Sequence, residues 1–122
     1  QSERYLKQSV IDKTDAVSCA ALVAGIHLYP ISADFVKKWA NEISEKLNAK
    51  SPATHYHALI LMREIKKQDK NSFLKILLNL TKEGTSSGIA AVQLIRFIRE
   101  LILKTELDPQ IEKFFADFLN KQ

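Results

Sequence analysis

The chain has 122 residues, 46% of them hydrophobic, and a net charge of +4 from 18 basic and 14 acidic side chains. That length suits one compact unit, and so mild a charge is not the concentrated basic footprint of a dedicated nucleic-acid binder. The single cysteine, Cys19, excludes an internal disulfide and fits a reducing compartment, no apolar run reaches the ~20 residues that cross a bilayer, and no secretory signal is expected.

With only three glycines and three prolines there is little material for long loops, and the abundance of Leu, Ile, Ala, Lys and Glu favours helix. A first short helix is expected from Ser2 to about Asp12, with Tyr5, Leu6, Val10 and Ile11 on one face. After a break at Lys13-Thr14, Asp15 is expected to cap a second helix over about 16–29, rich in small residues that admit a close neighbour and ended by Pro30. Ser32 is placed as the cap of a third helix over 33–48, whose apolar positions Phe35, Val36, Trp39, Ile43 and Leu47 form a narrow stripe. Ser51-Pro52 reads as an N-cap followed by proline at the first helical position. That fourth helix runs to about Lys67, with Lys66 and Lys67 in its last turn complementing the helix dipole. A fifth helix is expected over 70–82, closed by Gly84, and a sixth over 88–104, capped by Ser87. Asp108-Pro109 opens a seventh helix, over 109–120. No strand-like alternation appears.

Asp15, Ser51 and Ser87 lie 36 residues apart, and the helices that follow them superpose without a gap. Ala20, Tyr56 and Val92 share a column, as do Leu22, Ala58 and Leu94; Val23, Leu59 and Ile95; Ile26, Met62 and Ile98; and Tyr29, Ile65 and Leu101. A fixed period of this size with two helices per unit is the signature of HEAT and armadillo arrays. The fold class expected is therefore all-α, a right-handed solenoid of about seven helices. Its hairpins would span roughly 1–29, 32–67 and 70–104, followed by the last helix at 109–120. The second, fourth and sixth helices would form one layer, apolar over most of their circumference because each meets its own hairpin partner and two neighbours.

One stripe on that layer stays mostly polar: Ala21, Ala24 and Leu28, then His57, Ile60 and Glu64, then Gln93, Arg96 and Glu100. It is read either as a packing face of small residues or as a protein-contact surface carried by His57, Glu64, Gln93, Arg96 and Glu100. Arg63 and Arg99 share a further column with His27 and either face a partner or bridge to Glu64 or Glu100 of a neighbouring repeat.

Residues with chemical potential form no catalytic set. His55 and His57 are two apart on a helix and point about 200° from one another, so they cannot chelate one metal; one is expected to pack between helices and the other to be solvated. Cys19, among Ser18, Ala20 and Ala21, is expected to be a buried structural thiol, and Trp39 a packing residue. Lys66, Lys67 and Lys70 read as a solvated lysine face or as a contact for acidic lipid or an acidic partner. With no phosphate loop, paired carboxylates or metal motif, no enzymatic activity, cofactor or metal is expected.

The segments ERYLKQSVIDK (3–13), AVSCAALVAGIHL (16–28), VKKWANEI (36–43), YHALILMREIKKQDK (56–70) and LIRF (94–97) occur in an order and spacing that resemble the gamma subunit of coatomer, the COPI vesicle coat. The resemblance implies an internal segment of an adaptin-like trunk in a larger protein. It also implies a structural role in Golgi-to-ER and intra-Golgi transport, in company with other coat subunits (a small zeta-type and a large beta-type). Recruitment by an Arf-family GTPase, peripheral attachment at the cytosolic side of Golgi membranes and vesicles, and no nucleic-acid partner follow from it too. Alternatives are another HEAT scaffold, clathrin-adaptor-like or importin-like, or a DNA-binding HEAT-like glycosylase.

Overall fold

A computed structural model describes residues 2–83, 88–104 and 107–121, helices joined by short turns and loops with no strand among them. The helices are α1 (Ser2–Val10), α2 (Asp15–Leu28), α3 (Ala33–Lys37), α4 (Ala40–Lys46), α5 (Pro52–Ile65), α6 (Lys70–Glu83), α7 (Gly88–Lys104) and α8 (Pro109–Asn120). They stack in two layers. In one layer α5 packs on α2 along one flank and on α7 along the other. The opposite layer holds α1 against α4 and α6 against α8, and the pairs α1–α2, α4–α5 and α6–α7 join the layers. This is the hairpin arrangement expected from the repeat, in which stacking buries faces that no single hairpin covers.

The helix expected over 33–48 is two helices. The Trp39 N–H bonds to the Val36 carbonyl at 2.9 Å, three residues back instead of four. Trp39 itself sits at φ −89°, ψ 4°, in the sparsely populated bridge region. The tightened turn changes the helix direction and sinks the indole: Trp39 is fully buried, edge-on to Phe35 at 5.5 Å between centroids. Val36 before the turn and Ile43 and Leu47 after it all remain buried.

Several helix ends differ from expectation. Asp108 caps α8 as the sequence implies, accepting the Gln110 N–H at 2.8 Å. Ser32 and Ser51 hold N-cap positions, but neither side chain makes the cap hydrogen bond. The N-cap of α2 is Thr14, with Asp15 already in the first turn, because the Thr14 N–H is taken by the Asp12 carboxylate at 2.8 Å and the chain turns one residue earlier. Lys66 and Lys67 fall just past the end of α5. Asp69 caps α6 by accepting the Ser72 N–H at 3.1 Å. The caps expected at Gly84 and Ser87 lie outside the described residues.

The core takes in one repeat column whole and parts of others, while Ala20 and Val92 of a further column are exposed. Leu22, Ala58 and Leu94 have no exposed surface, and Leu59, Met62 and Ile98 are equally enclosed. Each fully buried aliphatic side chain contributes about 1.5–3 kcal/mol. The tightest point is Gly25 on α2. A Cβ there would stand 2.8 Å from both Leu61 Cδ2 and Trp39 Cζ3, so only glycine admits the indole between α2 and α5. Two polar ties add to this packing: Ser18 Oγ donates to the Val10 carbonyl within the first hairpin, and Lys46 Nζ on α4 reaches the Asp12 carbonyl at 3.2 Å, joining the second hairpin to the first.

Candidate partner-binding face

The structure places the five candidate contact residues in different settings. Gln93 is buried, 8% exposed, and its column mate Ala21 is buried as well, so this row turns toward the helix–helix seams and not outward. His57, third member of the row, is half-buried and faces α2. Its Nδ1–H donates to the Ala53 carbonyl at 2.7 Å, and Cys19 Sγ lies 3.6 Å from the same nitrogen. Because that nitrogen gives its proton to a carbonyl, it has no lone pair with which to activate the thiol. Cys19 is half-buried, not fully enclosed as expected, since small Ala20 and Ala16 beside it leave its edge uncovered.

Arg96 is exposed and Glu64 half-buried. Glu100 receives the Arg63 guanidinium across the α5–α7 seam and Lys104 Nζ at 3.6 Å along its own helix. The Arg63 hydrogen bond is the main influence holding the Glu100 carboxyl below the ordinary carboxylate range; burial opposes it, and the charges of Arg63 and Lys104 reinforce it. Arg63 therefore bridges repeats, one of the two roles the sequence left open, and its guanidinium also lies 4.9 Å from the centroid of Phe97.

The accessible positions on this layer include Arg96 of the polar stripe and residues one position before other stripe members. Val92, Arg96, Arg99 and Leu103 are exposed along α7, as are Ala20 and His27 on α2, while Tyr56, Ile60 and Arg63 are half-buried on α5. A one-residue offset is a 100° rotation on a helix, enough to exchange a seam position for an outward one. Arginines and aliphatic side chains thus share these positions, a composition suited to protein contact.

His55, two residues from His57, is 7% exposed and packed, whereas His57 is half-buried against α2 and not the solvated ring expected. Burial pushes the His55 pKa down. Among the described residues no group of three or more His, Cys, Asp or Glu is placed to hold a metal ion, and no helix is long and apolar enough to cross a membrane.

Comparison with known proteins gives this architecture its lineage. The chain is 37% identical over 120 residues to coatomer subunit gamma-2 of Oryza sativa subsp. japonica, covering 98% of this chain and 14% of the relative. It is 42% identical over 117 residues to coatomer subunit gamma of Dictyostelium discoideum, covering 96% of this chain and 13% of the relative. Identity to coatomer subunit gamma-2 of Homo sapiens is 39% over 104 residues, covering 85% of this chain and 12% of the relative. The chain therefore spans less than a sixth of the length of each of these relatives. A model of the adaptin N terminal region matches residues 1–122, the whole sequence, and the chain belongs to that family.

Proposed function

We propose that these residues form an internal trunk segment of a COPI coat subunit of the gamma type, a structural scaffold for vesicle formation and not an enzyme. The observation that carries the reading is the similarity to coatomer gamma subunits across nearly the whole chain, at 42% identity over 117 residues in one case. The architecture supports it, because a two-layer helical array offers a long surface on which weak contacts sum. The outward line of α7, with Arg96 and Arg99 beside Val92, and the half-buried Glu64 and Glu100 belong to the proposed contact surface; His57 and Gln93 sit at its inner edge. On this reading the partners are the other coat subunits, a small zeta-type chain and a large beta-type chain among them. Attachment to Golgi and vesicle membranes is peripheral and switched by an Arf-family GTPase.

Affinity capture of the full-length protein tests this directly. Co-purification of the remaining coat subunits in near-equal amounts is expected. Their absence under gentle conditions, with the captured protein folded and abundant, would overturn the proposal.

A further inference from the structure

The turn from α4 to α5 carries Ser51-Pro52, the one place in the sequence where proline follows a serine or threonine. That dipeptide is the minimal acceptor of proline-directed protein kinases. Such a kinase reads the proline by what it lacks: any other residue would bring a backbone N–H into a pocket that leaves it unpaired. Proline also presses the preceding residue into extended backbone, the conformation in which a kinase takes its acceptor, and Ser51 stands at φ −67°, ψ 121°. The stretch from Asn48 to Ala53 holds no buried residue: Asn48, Lys50, Pro52 and Ala53 are exposed, and Ala49 and Ser51 are half-buried. The Ser51 hydroxyl makes no cap hydrogen bond, so it is not tied to the helix it precedes. Other hydroxyls are engaged or enclosed. Those of Ser9, Ser18 and Thr81 donate to main-chain carbonyls, and Thr54 has no exposed surface.

The start of α8 shows what a phosphate on Ser51 would meet. That helix has the same construction, Asp108-Pro109, and there the Asp108 carboxylate accepts the Gln110 N–H at 2.8 Å. α5 has the proline but not the anion, and no acid lies in its first turn to repel one. We propose that Ser51 is the acceptor of a proline-directed protein kinase and that its phosphate caps α5 as Asp108 caps α8. In the transfer, Ser51 Oγ attacks the γ-phosphorus of ATP. The Oγ–P bond forms, the bond from that phosphorus to the bridging oxygen breaks, ADP leaves, and the hydroxyl proton passes to the catalytic base of the kinase. The product carries a charge of about −2. It stands at the positive end of the helix dipole, a stabilising arrangement, with main-chain N–H groups of the first turn as donors. Because α5 packs on both α2 and α7, the modification acts on the helix that joins the repeats. The proposal rests on this turn and not on the coat reading.

The test treats the folded full-length protein with ATP and a purified mitogen-activated protein kinase, beside a free peptide of residues 46–57, and locates the phosphate by peptide mass spectrometry. Modification of Ser51 in the folded protein is expected at a rate within about tenfold of that in the peptide, since only an accessible turn has to open. Pro52→Ala keeps the hydroxyl and is expected to slow the reaction by about tenfold or more. Ser51→Ala is expected to remove the phosphate from this stretch. Hydrogen–deuterium exchange reads the cap: in the phosphorylated protein the amides of Ala53 and Thr54 are expected to exchange about two- to fivefold more slowly. The proposal is overturned if the free peptide alone is modified, or if Pro52→Ala, melting as the parent does, reacts as fast as the parent. Exchange at the start of α5 that is unchanged or faster after phosphorylation overturns the capping role.

Discussion

The two seams along α5 are related by the same repeat and built in opposite ways. Toward α2, contact is close and dry: Gly25 leaves room for Trp39 and Leu61 at a spacing no Cβ would survive, and all the large side chains at that point are fully buried. Toward α7, Leu94 and Ile98 are enclosed in the middle of the seam, but near the carboxyl end it opens into a basic pocket spanned by the Arg63–Glu100 pair. Equivalent columns therefore say which helices meet and not how closely. Small residues on α2 bring the backbones together, whereas long charged side chains on α7 hold space between them.

Disrupting what both seams share has the largest expected effect. Leu59→Asp places a charge where there is no exposed surface and no partner to pair with it, so loss of the cooperative melt is expected by circular dichroism. A cooperative, unshifted melt would mean that α5 does not face both neighbours. Gly25→Ala probes the close seam alone. Alanine favours helix over glycine by about 1 kcal/mol, so an uncrowded site would gain stability. Here Leu61 and Trp39 are both fully buried and cannot withdraw, and a net loss of about 1–3 kcal/mol is expected from overpacking, read from denaturant titration. A more stable Gly25→Ala variant would show that the seam is looser than described.

Acidity separates two contributions, one buried and one partly solvated. His55 has its folded pKa lowered by burial, so the folded state resists the proton that the unfolded chain accepts near the ordinary value of 6.5. The stability it contributes is full above that value and falls as pH drops below it. Melting temperature should therefore decline from pH 7.5 toward pH 5.5, and less steeply in His55→Asn; parallel profiles would remove His55 as the cause. Glu100, with its folded pKa also lowered, contributes stability that is present above the ordinary carboxylate range and lost only at lower pH, as protonation breaks the Arg63 pair. The smallest effect belongs to that pair. Arg63→Ala and Glu100→Gln are each expected to cost less than about 1 kcal/mol because the pair is partly solvated. A double-mutant cycle between them should show a small favourable coupling that shrinks with salt. A coupling as large as the Gly25→Ala loss would mean that the open seam is held as firmly as the close one.

Much of the architecture was legible because helices are periodic and stacking makes burial periodic with them: Leu22, Ala58 and Leu94, one column in the sequence, are all fully buried in the structure. The break at Trp39 was not, since neither proline nor glycine marks it and the cause is a tertiary demand for the indole beneath Gly25. Within the polar stripe Ala21 and Gln93 are buried in the seams while Arg96 stays exposed, and polarity alone does not separate the two settings. The lysine turn, with Arg63 just before it, was visible as a cluster, but Lys104 joins it only through the packing of α5 on α7. Likewise the Cys19–His57 approach at 3.6 Å crosses between helices two positions off the repeat register.

Hydrogen–deuterium exchange resolved along the full-length protein tests most directly whether α5 is the element that both seams hold. The amides of Leu59 to Met62, enclosed between α2 and α7, are expected to exchange most slowly in this region. Those of Lys70 to Phe73, at the open end of the α7 seam, should exchange markedly faster. Exchange of α5 as fast as that of the α6 start would contradict the account.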